Sequence, residues 1–252
     1  MTYVVRFTRR YRTACSRLIA FRRAALIVLA AATLALLHAC ANLPTGNPSS
    51  SANLGELKVA LRAYQKSGRY DRDLGVVDAR ALAYLRAHAH DAAKPALVLD
   101  IDETSLSNYE QLDADDFGYI ENGPCDVLPI GPCGTIAYNA LARAAAIEPT
   151  RALFNAAKEN HVAVFFITGR HETERDVTER NLSGAGYAGW DGLIMRPEGS
   201  HAPAATYKAA QRAALESRGF TIIANVGDQP SDLAGGHALQ GFLLPNPYYR
   251  IP

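Results

Sequence analysis

The chain has 252 residues, 48% of them hydrophobic and 20% charged, with a formal net charge of +1. This composition excludes a disordered chain, and the length suffices for one well-buried domain. Residues 1–40 carry seven arginines and no acid, which leaves 19 basic against 25 acidic residues and a body of net −6; nucleic-acid binding, which needs a basic face, is not expected.

The N-terminus reads as a targeting segment. Its arginines end at Arg23, and "AALIVLAAATLALLHAC" follows without a charge. An apolar run of about 16 residues is short for a spanning helix and suits the core of a signal peptide. It ends in "LLHAC", with Leu37, Ala39 and Cys40 placed as in a bacterial lipoprotein cleavage box and His38 an unusual occupant. The expectation is a signal over 1–40 with lipidation of Cys40, against an uncleaved anchor or an ordinary secretory signal. Each places the body outside the cytoplasm. Ala41, where an aspartate would favour inner-membrane retention, points to the periplasmic side of the outer membrane. Residues 41–53, "ANLPTGNPSSSAN", read as a flexible tether.

From residue 54 helical and strand patterns alternate. "LGELKVALRAYQKSG" and "DLGVVDARALAYLRAHA" space apolar residues every three or four, predicting two amphipathic helices. "PALVLD" is a short continuous apolar run, expected of a strand buried on both faces. Cys125 and Cys133, in the Pro/Gly-rich "GPCDVLPIGPCG", have no further Cys or His beside them for a metal. In an exported protein they are expected to form a disulfide.

"PTRALFNAAKEN" opens with Pro149 and reads as a helix. "HVAVFFITG" is a second strand, "ETERDVTERNLSGAG" a helix, and "GLIMR" a third strand. "APAATYKAAQRAALESRG" is a helix, "FTIIANVGD" a fourth strand, and "GFLLP" a fifth. Strands alternating with helices predict βαβ units, a parallel sheet and a ligand site beyond the carboxyl ends of its strands.

Polar residues fall at that edge. Asp100 and Asp102 follow the first strand, Thr168 ends the second, and Asp228 and Asp232 follow the fourth. Each acidic pair alone reads equally well as a helix cap with a solvated neighbour. Four carboxylates converging on one edge repel one another, and a divalent cation on an all-oxygen set, suited to Mg²⁺, relieves this.

"VLDIDETSLSNY", "FFITGR", "TYKAAQR" and "NVGDQPSDL", in this order, resemble the four motifs of the haloacid dehalogenase (HAD) superfamily of phosphatases. The similarity is closest to its subfamily IIIB acid phosphatases, which include plant acid phosphatases, vegetative storage proteins and bacterial lipoprotein acid phosphatases. "NLSGAGYAGWDGLIMR" and "LLPNPYY" are also similar to that group, so the resemblance spans roughly residues 54–252. It implies a HAD-like Rossmannoid three-layer α/β fold with a mostly parallel sheet, N-terminal helices, and a small cap between the first and second motifs. Residues 107–148 hold that position, and their Cys125–Cys133 loop is expected to shape substrate access.

The resemblance also implies a Mg²⁺-dependent acid phosphatase acting on small phosphomonoesters through an aspartyl-phosphate. Asp100 matches the nucleophile, and Asp102 the general acid/base that must be protonated to release the alcohol. Mg²⁺ would be held by Asp100, the Asp102 carbonyl and Asp228, with Asp232 outside them or orienting Lys208. Thr168 and the Gly169 amide would bind phosphate, and Lys208 would neutralise it. Arg170 could reach phosphate; His171 receives no role. Asn108, Tyr109, Tyr138, Trp190, Tyr248 and Tyr249 are candidates for an aromatic rim. Some vegetative storage proteins lack the nucleophile, whereas this chain keeps every motif acid. The alternatives are a phosphotransferase using the same intermediate and a non-catalytic phosphate-binding or storage protein.

Overall fold

A computed structural model describes residues 52–251. The expected signal, Cys40 and most of the tether lie outside them. The helices α1 (Leu54–Lys66) and α2 (Arg69–His88) lead into β1 (Pro95–Leu99). An insert follows, with β2 (Leu106–Ser107), α3 (Tyr109–Ala114), α4 (Thr135–Ala140) and β3 (Ala145–Ala146). Then come α5 (Glu148–Glu159), β4 (Ala163–His171), α6 (Arg175–Gly184), β5 (Gly192–Arg196) and α7 (Ala204–Ser217). The last elements are β6 (Thr221–Gly227), the short α8 (Pro230–Leu233) and β7 (Gln240–Leu243).

Five strands form the expected parallel sheet in the order β5-β4-β1-β6-β7. Side chains of β1 alternate between its two faces, which explains the unbroken apolar run. Leu97 and Leu99 enter one core with Leu74, Leu85, Leu153, Val164 and Phe166. Ala96 and Val98 enter the other with Phe165, Ile167, Tyr207 and Leu215. Helices α2 and α5 thus cover one face and α7 the other, giving three layers.

Chain order runs outward from β1 to β4 and β5, then returns to β6 on the other side of β1. That reversal leaves a crevice at the carboxyl ends of β1 and β6, where open α/β sheets bind ligands. Register brings the edges together, because Leu99 lies opposite both Phe166 of β4 and Val226 of β6. The residues just beyond β1 and β6 are therefore neighbours, and the stretch of β4 after Phe166, Thr168 included, runs beside them.

Three local expectations change. Helix α1 buries none of its residues; Leu54, Leu57 and Val59 are exposed. It is tied to the insert by charge instead, with Lys58 and Arg62 paired to Asp113 and Asp116. Strand β4 runs past Gly169 to His171. The segment after it opens with a 3-10 turn, Glu172–Glu174, before α6 begins. In the insert, Cys125 and Cys133 are bonded, and Asp115 and Gln111 anchor Cys133 through its N–H (2.6 Å) and its carbonyl (3.2 Å). Among the described residues no helix is long and apolar enough to cross a membrane.

One buried acid lies far from the sheet edge. Asp78 on α2 accepts one hydrogen bond, from Thr150 on α5 (3.1 Å), and its Oδ1 has no partner. Burial pushes its carboxyl up to about 7 despite the Thr150 hydroxyl. Because the folded-state value is raised, the stability this group permits is complete below about pH 4 and is lost as pH rises through 7. Asp78→Asn is expected to flatten that slope. Its stability relative to the parent should grow between pH 4 and 7, by up to about 4 kcal/mol, and stay constant above. Urea unfolding across this range measures it; parallel pH profiles for the two proteins would contradict it.

Candidate active site

The turn after β1 carries Asp100, Asp102, Glu103 and Thr104. It is tight: the Ile101 carbonyl accepts N–H groups from both Ser105 and Leu106 at 2.8 Å. Asp228 stands just beyond β6. Asp232, on α8, folds back so closely that a Cβ on Gly227 would collide with its carboxylate, which explains the glycine. Lys208 reaches in from α7 and donates to Asp100 Oδ1 and Asp232 Oδ1, at 2.6 Å each.

Asp100, Asp228 and Asp232 each offer an oxygen within 4.8 Å of the others, all buried. Lys208 supplies one positive charge against these three. Burial, followed by the Asp232 charge, pushes Asp228 up against its three hydrogen bonds; for Asp100 burial also dominates, with Lys208 opposing it and Asp232 and Asp228 adding to it. Lys208 stays charged because the two acids it bridges outweigh its burial. The donor set fits a divalent cation: hard carboxylate oxygens with an excess of negative charge. Asp232 is the least available, since Lys208 holds Oδ1 and the Gln229 N–H donates to Oδ2 at 2.8 Å. Asp228 accepts from neutral donors only, namely Thr104 (3.0 Å), Gln229 (2.5 Å) and Asn246 (2.7 Å). Among these hydrogen bonds Asp100 Oδ2 accepts none.

Asp102 faces away from this cluster, toward Arg170. The Arg170 Nε lies 3.2 Å from both Asp102 oxygens, and Nη2 is 2.7 Å from Oδ1. Asn108 also donates to Oδ1, at 2.8 Å. Burial alone would push Asp102 up, but the Arg170 charge and these hydrogen bonds outweigh it and hold the carboxyl below its ordinary value. Arg170 thus opposes the protonation that the proton-donor role of Asp102 requires. Arg170, given no secure place by sequence, is 5% exposed and is the principal partner of Asp102.

These groups open on one cavity of about 590 Å³. Asp100, Asp102, Gly169, Lys208, Asp228 and Asp232 all lie on its wall. Thr168 stands behind the wall, fully buried, its Oγ1 accepting the Arg170 N–H at 3.1 Å. The insert contributes Phe117, Tyr119 and Ile136, and the C-terminal segment Tyr249, Arg250 and Ile251. Of the proposed aromatic rim, Asn108 and Tyr249 are on the wall. Tyr138 is buried, Trp190 packs on Phe166 at 6.0 Å, and Tyr248 sits among Tyr70, Tyr109 and Phe117. Nothing in the local pattern of an aromatic residue says whether it faces core or cavity. Glu103 and Asn246, which sequence assigns no role, join the site through hydrogen bonds; membership of the quoted motifs was the only signal for either.

Residues 52–252 match the family model described as HAD superfamily, subfamily IIIB (Acid phosphatase). The chain is 30% identical over 205 residues to Acid phosphatase 1 of Solanum lycopersicum, covering 76% of this chain and 73% of the relative. It is 32% identical over 200 residues to the stem 28 kDa glycoprotein of Glycine max, covering 76% and 74%. Among solved structures, the class C acid phosphatase from Bacillus anthracis superposes with a TM-score of 0.62 at 20% identity, covering 78% of this chain and 86% of that one. That likeness is one of fold.

Proposed function

The chain belongs to subfamily IIIB of the HAD superfamily and is an acid phosphatase, a phosphomonoesterase; from that premise we propose that it hydrolyses small phosphate esters through an aspartyl-phosphate on Asp100, with Mg²⁺ as cofactor. The observation that carries the reading is the asymmetry of Asp100. One oxygen is held by Lys208 and, among the described residues, the other accepts no hydrogen bond, on the wall of the cavity. A carboxylate so held can present its free oxygen to phosphorus, with its charge balanced beneath.

Asp100, Asp228 and the Asp102 carbonyl would hold the metal, with Asp232 bound to Lys208 outside them. The ion, when bound, supplies positive charge to the phosphoryl oxygens and the nucleophile. Lys208 adds to this, so an anionic nucleophile meets an anionic ester at lower cost. The Gly169 amide would bind a phosphoryl oxygen, whereas Thr168, expected to do the same, is fully buried behind the wall and would instead support the site by accepting the Arg170 N–H. Asp102 would protonate the departing alcohol and then take a proton from the water that attacks the aspartyl-phosphate. With Arg170 bound to it, Asp102 protonates only at low pH or when the guanidinium turns toward phosphate, which accords with acidic working conditions.

The test is turnover of p-nitrophenyl phosphate with and without divalent cation, beside Asp100→Asn. Activity that needs neither the metal nor Asp100 would overturn the reading.

We further read residues 1–40 as an export signal ending in a lipobox, cleaved before Cys40 so that this residue begins the mature chain, 41–53 as a tether and 54–252 as the phosphatase domain, with lipid at Cys40 holding it to the outer membrane. The arginine-rich start and the "LLHAC" box support this. Intact-mass measurement of the mature protein is expected to give a chain starting at Cys40 and carrying acyl groups. A chain starting elsewhere, or an unmodified cysteine, would contradict it.

A further inference from the structure

Glu103 has no part in the chemistry above, yet it is among the most firmly held side chains of the site. It is 2% exposed and its backbone adopts φ 52°, a left-handed conformation that costs a non-glycine residue about 1 kcal/mol or more. Burial, then the Asp102 charge, pushes its carboxyl up to about 8. A strained, buried acid is a net destabilisation unless its position serves something.

Its hydrogen bonds show what it connects. Glu103 Oε1 accepts the Asn108 N–H at 2.7 Å, and Oε2 accepts the Tyr249 hydroxyl at 2.7 Å. The Asn108 side-chain amide lies 3.4 Å from Oε2 and donates to Asp102 Oδ1 at 2.8 Å. Asn108 Oδ1 accepts nothing, so this amide is oriented by its donations to the two acids. Tyr249, Glu103, Asn108 and Asp102 thus form one continuous hydrogen-bonded chain, 146 residues apart in sequence at the Glu103–Tyr249 link.

The tyrosine end of this chain is itself anchored. Asn246 Oδ1 accepts the N–H groups of Tyr248 (2.9 Å) and Tyr249 (3.4 Å), while its amide donates to Asp228. Gln229 Oε1 accepts the Ile251 N–H at 3.0 Å. Tyr248 stacks on Phe117 of the insert, with centroids 5.9 Å apart. The C-terminal segment therefore ties together the insert, the turn after β6 and the turn after β1.

We propose that Tyr249 is a positioning residue for Asp102: acting through Glu103 and Asn108, its hydroxyl holds the Asp102 carboxyl in the orientation from which it protonates the leaving alcohol. Arg170 grips both oxygens of that carboxylate, and the Asn108 amide is a second restraint, on Oδ1. This rests on the reading of Asp102 as the proton donor. Losing the restraint leaves Arg170 to set the orientation alone. An alkoxide leaving group needs a proton in the transition state, whereas p-nitrophenolate leaves with little help. The consequence is a defect graded by the leaving group.

The experiment compares kcat/KM, which reports the steps through departure of the alcohol, for glycerol phosphate and p-nitrophenyl phosphate. Tyr249→Phe removes one oxygen and keeps the ring. It is expected to lower kcat/KM for glycerol phosphate about tenfold more than for p-nitrophenyl phosphate, part of the about 10²- to 10⁴-fold that a positioned acid contributes. KM for glycerol phosphate should change little. Glu103→Ala should reproduce the graded loss, and adding Tyr249→Phe to it should cost nothing further, because the two act in one chain. Glu103→Gln, which still accepts from Asn108, should recover part of the rate. Equal losses for both substrates, or additive losses in the double variant, would reduce Tyr249 to a packing role. If Glu103→Ala does not fold, the substrate comparison in Tyr249→Phe decides alone. Asp100→Asn run alongside separates the two levels. If that variant still turns over, the underlying mechanism fails; if it is dead and Tyr249→Phe is indifferent to leaving group, only the positioning role fails.

Discussion

Asp100→Asn is expected to fold and to lose turnover of p-nitrophenyl phosphate by at least about three orders of magnitude, as removal of a covalent nucleophile does. The amide keeps the shape of the side chain but cannot attack phosphorus. Folding should not suffer, for a reason visible in the site. Asp100 is one of three buried carboxylates sharing a single lysine, and burial with its neighbours already pushes it toward the neutral form. An amide removes part of that cost, and Asp232 keeps Lys208 paired at 2.6 Å. Metal-free samples should therefore melt no lower than the parent at pH 7. The decisive pair of measurements is kcat and thermal melting on the same preparation. Activity within tenfold of the parent in a well-folded variant would remove Asp100 from the chemistry.

Divalent cation is expected to have the second large effect. Chelation should abolish turnover, and Mg²⁺ should restore it. Binding to the folded state alone stabilises by about 2.7 kcal/mol when the ion is at 100 times its dissociation constant. For a domain of this size that corresponds to a rise in melting temperature of about 5–10 °C. Asp228→Asn should lose both the rise and most of the turnover, because it removes a hard, anionic oxygen while Gln229 and Asn246 still donate to the amide oxygen and the Thr104 hydroxyl can turn to accept from its nitrogen. A melting curve indifferent to Mg²⁺, together with turnover that survives chelation, would show that Lys208 alone balances the cluster.

Short-range pattern was enough for the elements and the family. The apolar runs before Asp100, Gly169 and Asp228, together with "GLIMR" and "GFLLP" and the helical spacing between them, predict all five strands of the sheet; the three central ones are apolar throughout because they are buried on both faces. Helix α2 was legible for the same reason, its apolar residues recurring on one face. Helix α1 shows the limit: it carries a similar spacing, yet it buries none of its residues, Leu54 and Leu57 stay exposed, and ion pairs tie it to the insert beside the packing of Tyr64 on the core.

Within the site, the residues on strand ends were readable, and their partners were not. Asp100, Asp102, Thr168 and Asp228 follow from where strands stop. That Arg170 turns its guanidinium onto Asp102, that Asp232 is occupied by Lys208 and Gln229, and that Tyr249 reaches Glu103 depend on which strands are neighbours and on how the C-terminal segment returns. Periodicity records which side of an element meets apolar surroundings. It carries no record of partners 68 or 146 residues away, which are chosen by strand order and register. Sequence by itself thus determined the family, the parallel α/β layers and the acids at the sheet edge. Only the tertiary structure decided the pairing of Asp102 with Arg170, which aromatic residues face the cavity, and the hydrogen-bonded chain behind the acid, since each is set by contacts between segments that local pattern does not join.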